Sequence, residues 1–368
     1  MNKKLTWLVI LAVVAVAVIA VRFGQKPSEQ RTVKVGGLFG ITGYASFAGE
    51  ASRDGFLMAI EDSGMKIDTP VEDFQSNNVR LVTAASKLVD VDRVKVVIGP
   101  EWNEFSEVII PIANSKKTLF ISPWMTGEQD WRNSPYYFSA TPSERNQIRA
   151  ILQHMAKHER KSIVLVYSNN TWSLGSVKVV HDELEKLKEL QVVGEFVINQ
   201  DAADYRTEVV KIKTLNPGAV YTIIATDAGQ GIFNKQMREL GASYPIYAPA
   251  SRAESSVLQS RFGEYSVGMI YSREKEYANM EKFAEKFEKK FGRKPGALSA
   301  ATTYDVTTLV LRAIKNGAKT TAQIKAYLLS VKDYDGYSNK ISFGPGGQIV
   351  PLEVEMRRLT KNGFEAVE

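Results

Sequence analysis

The chain has 368 residues, 44% of them hydrophobic and 24% charged, and its 47 Lys and Arg against 41 Asp and Glu give a formal charge of +6. A composition this ordinary excludes a fibrous or disordered protein, and basic residues scattered among acids speak against nucleic acid as a partner. With no cysteine, disulfides, thiol nucleophiles and thiolate metal sites are excluded, and the length asks for two domains rather than one core.

Residues 1–21 stand apart from the fold. Lys3 and Lys4 precede an apolar, uncharged run from Leu5 to Val21, and Arg22 follows it. This pattern predicts a signal peptide, with cleavage after Ala20 as one outcome, or a retained membrane anchor. Both readings put the globular part outside the cytoplasm, in the periplasm or at the cell surface. Residues 22–31 form a polar linker.

Thr32–Leu38 reads as a first strand, with Thr42-Gly43 closing the loop after it. Glu50–Asp62 reads as a helix with Phe56, Leu57, Ala59 and Ile60 on its apolar side. Val71–Phe74 is a short strand and Asn78–Val89 a helix. Then comes the most informative stretch. Val94–Ile98 is a buried strand closed by Gly99-Pro100, Phe105–Ala113 a helical stripe, and Thr118–Ile121 a second strand closed by Ser122-Pro123. Short connections between strand, helix and strand predict parallel sheet. In such sheets ligands sit beyond the carboxyl ends of the strands. The loops there carry Trp102 with Asn103, and Trp124 with Thr126. These four residues are therefore candidate ligand contacts.

After Tyr136–Ser139 the rhythm restarts: helix Gln147–His158, strand Ser162–Tyr167, helix Ser173–Leu190, strand Val192–Val197, helix Tyr205–Thr214, strand Ala219–Ile224, helix Ile232–Leu240 and strand Pro245–Ala248. Val267–Tyr271 is a further strand, followed by helices Tyr277–Phe291, Leu298–Asn316 and Thr321–Val331. The tail differs: a turn at Ser342–Gly347 and alternation over Ile349–Arg357 predict a closing β-hairpin. The whole is an α/β protein of two similar lobes.

Four segments in this order resemble one family. VKVGGLFGITGYASFAGEASRDGFLMAIED, with Thr42, Gly43, Gly49 and Gly55, looks like the opening of the type I periplasmic solute-binding proteins of ABC transporters, the branched-chain amino acid-binding group. VEDFQSNNVRLVTAASKLVD, the stretch from Val94 to Thr126 and the closing SFGPGGQIVPLEVEMRRLTKNGFEAV are similar to later family segments, so the resemblance covers about residues 32–366. It implies two Rossmann-like lobes joined by three crossover hinges, near Ala140–Ser143, Tyr271–Arg273 and Tyr337–Lys340. Lobe one would hold 32–141 plus 273–338, and lobe two 142–272 plus 339–368.

The resemblance also implies where ligand is held. The loop that gives the ligand carboxylate a small hydroxyl in amino acid-binding members has Asn103 here, beside Trp102. The next loop offers Trp124 and Thr126. An aromatic from lobe two closes over the ligand, and Trp172 stands in that place. Where the family has an acid for the ligand ammonium, this chain has Ala250 or Ser251, with Glu254 nearby; Asp227 at another strand end is the substitute. Ser46 and Phe47, between the Thr42-Gly43 loop and the first helix, complete the candidate set. Three tryptophans around one cleft suit a flat aromatic or cationic ligand better than a plain aliphatic amino acid.

No enzyme chemistry is readable. Gly36-Gly37-Leu38-Phe39-Gly40 lacks G-x-G-x-x-G spacing, and no P-loop or G-x-S-x-G elbow occurs. His154 and His158 lie four apart on a helix without an H-E-x-x-H pattern and read as two exposed side chains; His181 reads the same way. Glu101 and Glu104 read as solvated loop charges. The expectation is a binding protein, not an enzyme. It needs no cofactor or metal and delivers a small ligand to an ABC transporter permease. The alternative is a tethered ligand-sensing receptor ectodomain of the same fold.

Overall fold

The computed structural model describes residues 33–125, 134–275, 277–350 and 352–368. The apolar run Leu5–Val21, the linker and Thr126 lie outside them. Alternation of apolar strands with amphipathic helices builds two parallel sheets. In the first, β1 (Val35–Phe39), β2 (Val71–Asp73), β3 (Val96–Ile98), β4 (Leu119–Ser122) and β5 (Tyr137–Ser139) lie in the order β2-β1-β3-β4-β5, and every pairing is parallel. In the second, β6 (Ser162–Ser168), β7 (Gln191–Ile198), β8 (Ala219–Ile223), β9 (Ile246–Tyr247) and β10 (Ile270–Glu274) pair in parallel. A two-stranded ribbon, β11 (Tyr334–Asp335) with β12 (Lys340–Ile341), precedes the closing hairpin β13 (Val354–Thr360) and β14 (Gly363–Ala366). That hairpin adds antiparallel to β10, giving the order β14-β13-β10-β9-β8-β6-β7.

The central strands of the second sheet, β6 and β8, are buried on both faces, as in parallel sheets generally. Along β6, Ile163, Leu165 and Tyr167 join one apolar cluster and Val164 and Val166 the other, so the period of two is read out twice. The first sheet has the same construction. Leu38, Val97 and Phe120 pack with Phe74 and Phe105 on one side. Beyond the other side, helix Ser46–Ser63 packs on helix Ser299–Lys315, bringing Ala51, Met58 and Ala59 against Phe283, Ala300 and Tyr304.

Two glycines let this helix pack closely, Gly49 against the loop after β1 and Gly55 against helix Ser299–Lys315. A Cβ on Gly49 would lie 2.2 Å from the Gly40 carbonyl oxygen, and one on Gly55 only 2.1 Å from that of Ala300. Both obstacles are backbone and cannot rotate away. Gly55→Ala is therefore expected to lower stability by about 1–3 kcal/mol through overpacking, although alanine in a helix normally gains up to about 1 kcal/mol over glycine. Urea unfolding measures it, and an unchanged midpoint would show that the two helices can part without loss.

Several boundaries depart from the sequence reading. Helix Ser46–Ser63 starts at Ser46 rather than Glu50; the buried residues of its first turn are Ala48 and Gly49, too small to mark an apolar stripe, while Phe47 is exposed. Helix Asp227–Glu239 starts at Asp227 rather than Ile232; the Thr226 hydroxyl caps it by accepting from the Gly229 N–H, and Gly229 and Gly231 hide the apolar period. Helix Thr171–Leu184 contains Trp172, expected in a loop. Ala250–Ala253 and Ser256–Ser266 are helices that the sequence reading lacks. The final hairpin forms at Val354–Ala366, while Ser342–Ile349 folds back beside β5, with Ser139 bridged to Gln348.

Candidate functional site

Parallel pairing brings the carboxyl ends of β1, β3 and β4 to one edge. The residues that follow them supply an aromatic wall. The Trp102 ring lies 6.5 Å from Trp124 at 80°, 5.7 Å from Phe47, 6.0 Å from Tyr44 and 6.3 Å from Phe105, nearly parallel to the last. Phe47 and Trp124 meet edge to face at 6.4 Å. Phe47 and Tyr44 remain exposed and both tryptophans half-buried, so the wall faces solvent with its flat surfaces available. Edge-to-face rings at such spacings fix one another's orientation.

The backbone at Trp102 is strained. Its φ of 66° and ψ of 152° fall in a region nearly restricted to glycine, at a cost of about 1–3 kcal/mol. Hydrogen bonds hold it there: its N–H donates to the Trp124 carbonyl at 2.6 Å, and the Ser106 hydroxyl and N–H donate to its carbonyl at 2.7 and 3.1 Å. The two Trp loops are thereby locked together. Asn103, buried, opens the helix Asn103–Lys116, and Ser46 lies half-buried at the first position of its own helix.

One residue before Trp102, Glu101 is wholly buried, which corrects its reading as a solvated charge. Gly40 N–H donates to its Oε2 at 3.4 Å, while Oε1 has no partner among the described residues. Burial pushes its carboxyl up to about 7; the Ser52 hydroxyl, close by but outside hydrogen-bonding geometry, and the Gly40 N–H offset this only in part. Glu104 is also not free, since Tyr44 donates its hydroxyl proton to it.

The second sheet presents its own strand ends. Trp172 donates Nε1–H to Glu144 Oε2 at 3.1 Å, and Ser176 donates to the other carboxylate oxygen, so a buried acid fixes the indole. Thr171 Oγ1 stands 3.5 Å from Glu107 Oε2, joining the helix that carries Trp172 to the helix that follows Trp102. Asp227 does not offer an open carboxylate: Arg252 Nη1 reaches Oδ1 at 2.5 Å and Ser255 donates to Oδ2 at 2.6 Å. Ser251 is exposed on its short helix. Trp102, Trp124 and Phe47 are thus in ring contact, while Trp172, Asp227 and Ser251 belong to separate elements of the second sheet's edge. Tyr44, Phe105, Glu144 and Arg252 were absent from the sequence set. Tyr44 stands within the quoted opening segment, but nothing in its spacing marks it.

Of the histidines, His158 and His181 are exposed as expected, but His154 is buried, at 6% exposure, a correction explained by its place against Tyr247. Among the described residues no group of three or more His, Asp or Glu could hold a metal ion, and no helix is long and apolar enough to cross a membrane.

Residues 32–357 match the family described as periplasmic binding protein. The chain belongs to that family. Solved structures share the fold across almost its whole length. The leucine binding protein LivK of Thermotoga maritima gives a TM-score of 0.76 at 21% identity, over 91% of this chain and 98% of that one. A solute binding protein of an ABC transporter from Rhodopseudomonas palustris, in complex with 3,4-dihydroxy benzoic acid, gives 0.73 at 20% identity, over 89% and 93%. LivJ from Streptococcus pneumoniae, in complex with isoleucine, gives 0.73 at 21%, over 92% and 99%. Identities this low establish the fold, a mixed α/β type I periplasmic binding protein. Glutamate receptor 2.2 of Arabidopsis thaliana is 27% identical over 180 residues, 48% of this chain and 19% of the receptor, so the chain spans about a fifth of that relative.

Proposed function

We propose that this chain is an extracytoplasmic solute-binding protein that captures a small ligand between its lobes and delivers it to an ABC importer without chemical change. The aromatic wall at the carboxyl edge of the first sheet carries this reading, because strain is retained at Trp102 to hold it. Ser46, Phe47, Trp102, Asn103, Trp124 and Thr126 serve as contacts on one side, and Trp172, Asp227 and Ser251 on the other. Lobe one comprises 32–141 plus 273–338, and lobe two 142–272 plus 339–368, with 342–349 seated against β5. Closure is by hinge motion at the crossovers. The residues before 32 direct export or tether the protein.

The ligand is a flat aromatic or cationic compound, such as an amino acid, amide or aromatic acid. Stacking on Trp102 and Trp124 suits it, and the neighbour that holds 3,4-dihydroxy benzoic acid shows that this fold accepts an aromatic acid. A thermal-shift screen of amino acids, amides, polyamines and aromatic acids tests the reading. A ligand at a hundred times its Kd stabilises by about 2.7 kcal/mol, and it should also change tryptophan fluorescence. Melting curves unmoved by every class would refute it. The partial likeness to glutamate receptors supports the second reading, a sensing ectodomain. Co-purification with a permease, rather than with a signalling protein, decides between them.

A further inference from the structure

A cavity of about 300 Å³ opens at the amino-terminal edge of the second sheet. It is lined by His154 and His158 from one helix end, Arg160 ahead of β6, Arg238, and Arg358 on β13, which pairs with Ile270 at the start of β10. No Asp or Glu lines it. Glu365 reaches Arg358 at 3.2 Å, and Arg238 donates to the Val267 carbonyl at 2.9 Å. Arg160 is exposed and has neither ion pair nor hydrogen bond from its side chain among the described residues.

At the wall of this cavity, His154 is buried, with 6% exposure. Its Nδ1 meets the Tyr247 hydroxyl at 2.9 Å, and the His158 ring lies 4.2 Å away, tilted by 33°, with its Nε2 2.8 Å from the Glu368 carbonyl oxygen. Its Nε2 is buried with no partner among the described residues. Burial first, then the positive charges of His158, Arg358, Lys157 and Arg160, push this imidazole down to about 4. A buried nitrogen without a partner is costly, and of the three guanidinium groups lining the cavity only Arg358 has an acid within reach among the described residues, Glu365, which is not among the lining residues.

We propose that this cavity binds a small phosphomonoester, its dianionic oxygens taken by Arg160, Arg358 and the His154 Nε2–H, and its organic body by Tyr244 and Tyr265. Guanidinium forks match phosphate oxygens in pairs, and the volume exceeds what bare phosphate needs. The site lies at the amino-terminal edge of the second sheet, whereas the aromatic wall stands at the carboxyl edge of the first, so it is independent of the transported ligand.

Calorimetric titration of the intact chain with phenyl phosphate, inorganic phosphate and benzoate tests this. Phenyl phosphate should bind tightest, and benzoate, with one charge and planar oxygens, weakest. Arg160→Ala and Arg358→Gln should each weaken phenyl phosphate about tenfold, since one charge-assisted contact is lost. The folding of each variant is checked by its melting curve. Arg160→Ala should leave the fluorescence response to the cleft ligand intact. The His154 ring nitrogens should shift in NMR spectra as phenyl phosphate is added. No binding at millimolar phenyl phosphate, equal affinity in both arginine variants, benzoate binding as tightly, or His154 signals that stay still would each overturn the proposal.

Discussion

Trp102→Ala and Trp124→Ala are each expected to weaken binding of the cleft ligand at least about tenfold, equivalent to about 1.4 kcal/mol. The two rings stand 6.5 Å apart at 80°, and Phe47 touches both. Removing either leaves the other without its lateral support as well as the ligand without a stacking surface, and an aromatic contact is worth about 0.5–1.5 kcal/mol beyond its area. The double variant should lose less than the sum of the two, because rings in contact couple. Trp172→Phe should cost less than either. It keeps a ring at the rim and gives up only the hydrogen bond to Glu144. Calorimetry reads the affinities. Both single variants binding like the parent, with unchanged melting, would move the site elsewhere. A companion measurement separates strain from stacking. Trp102→Gly should be more stable than Trp102→Ala by about 1 kcal/mol, reversing glycine's usual penalty, because only glycine adopts the backbone angles found there without strain.

How far the sequence revealed this molecule depends on which residues carry the signal. The parallel sheets were legible because strands such as Ser162–Ser168 bury both faces and stand out as continuous apolar runs. Helix Asp227–Glu239 was half-hidden. Its amino-terminal glycines allow close approach, with a Cβ on Gly231 falling 2.1 Å from the Phe262 ring, and they erase the apolar period that marks a helix. Trp102 and Trp124 were legible as candidates because tryptophan after a parallel strand is conspicuous. The role of Asp227 was not: its pairing with Arg252 joins residues 25 apart in sequence, a distance at which no local pattern speaks. Glu101 was misread for the opposite reason. A glutamate beside a turn looks solvated, and only the tertiary fold lays Gly40 and Ser52 over it.

That buried acid gives the second large effect. Glu101→Gln is expected to stabilise the protein increasingly as pH rises, by about 3 kcal/mol at about pH 8 and by only about 1 kcal/mol at about pH 5, apart from any constant cost of the amide. The sign is the reverse of that for a salt-bridged carboxylate. Burial raises the folded-state value to about 7 from 4.5. Between those two values the unfolded chain releases a proton that the folded chain keeps, so stability falls as pH rises through this window and stays low above it. Glutamine carries no proton to release and does not share the decline. Its carbonyl can still accept from Gly40 N–H, as Oε2 does. Urea unfolding of parent and variant at both pH values reads the difference, and a gap that does not change with pH would place Glu101 in contact with water or a cation. The acid also bears on the ligand. It adjoins Trp102, and a cation seated on that ring would favour the ionised form, since opposite charges within a few ångströms stabilise each other. A cationic ligand should therefore bind Glu101→Gln more weakly than the parent, a neutral aromatic should bind both alike, and an anionic aromatic should bind the variant more tightly, so one variant reports on fold and on ligand class.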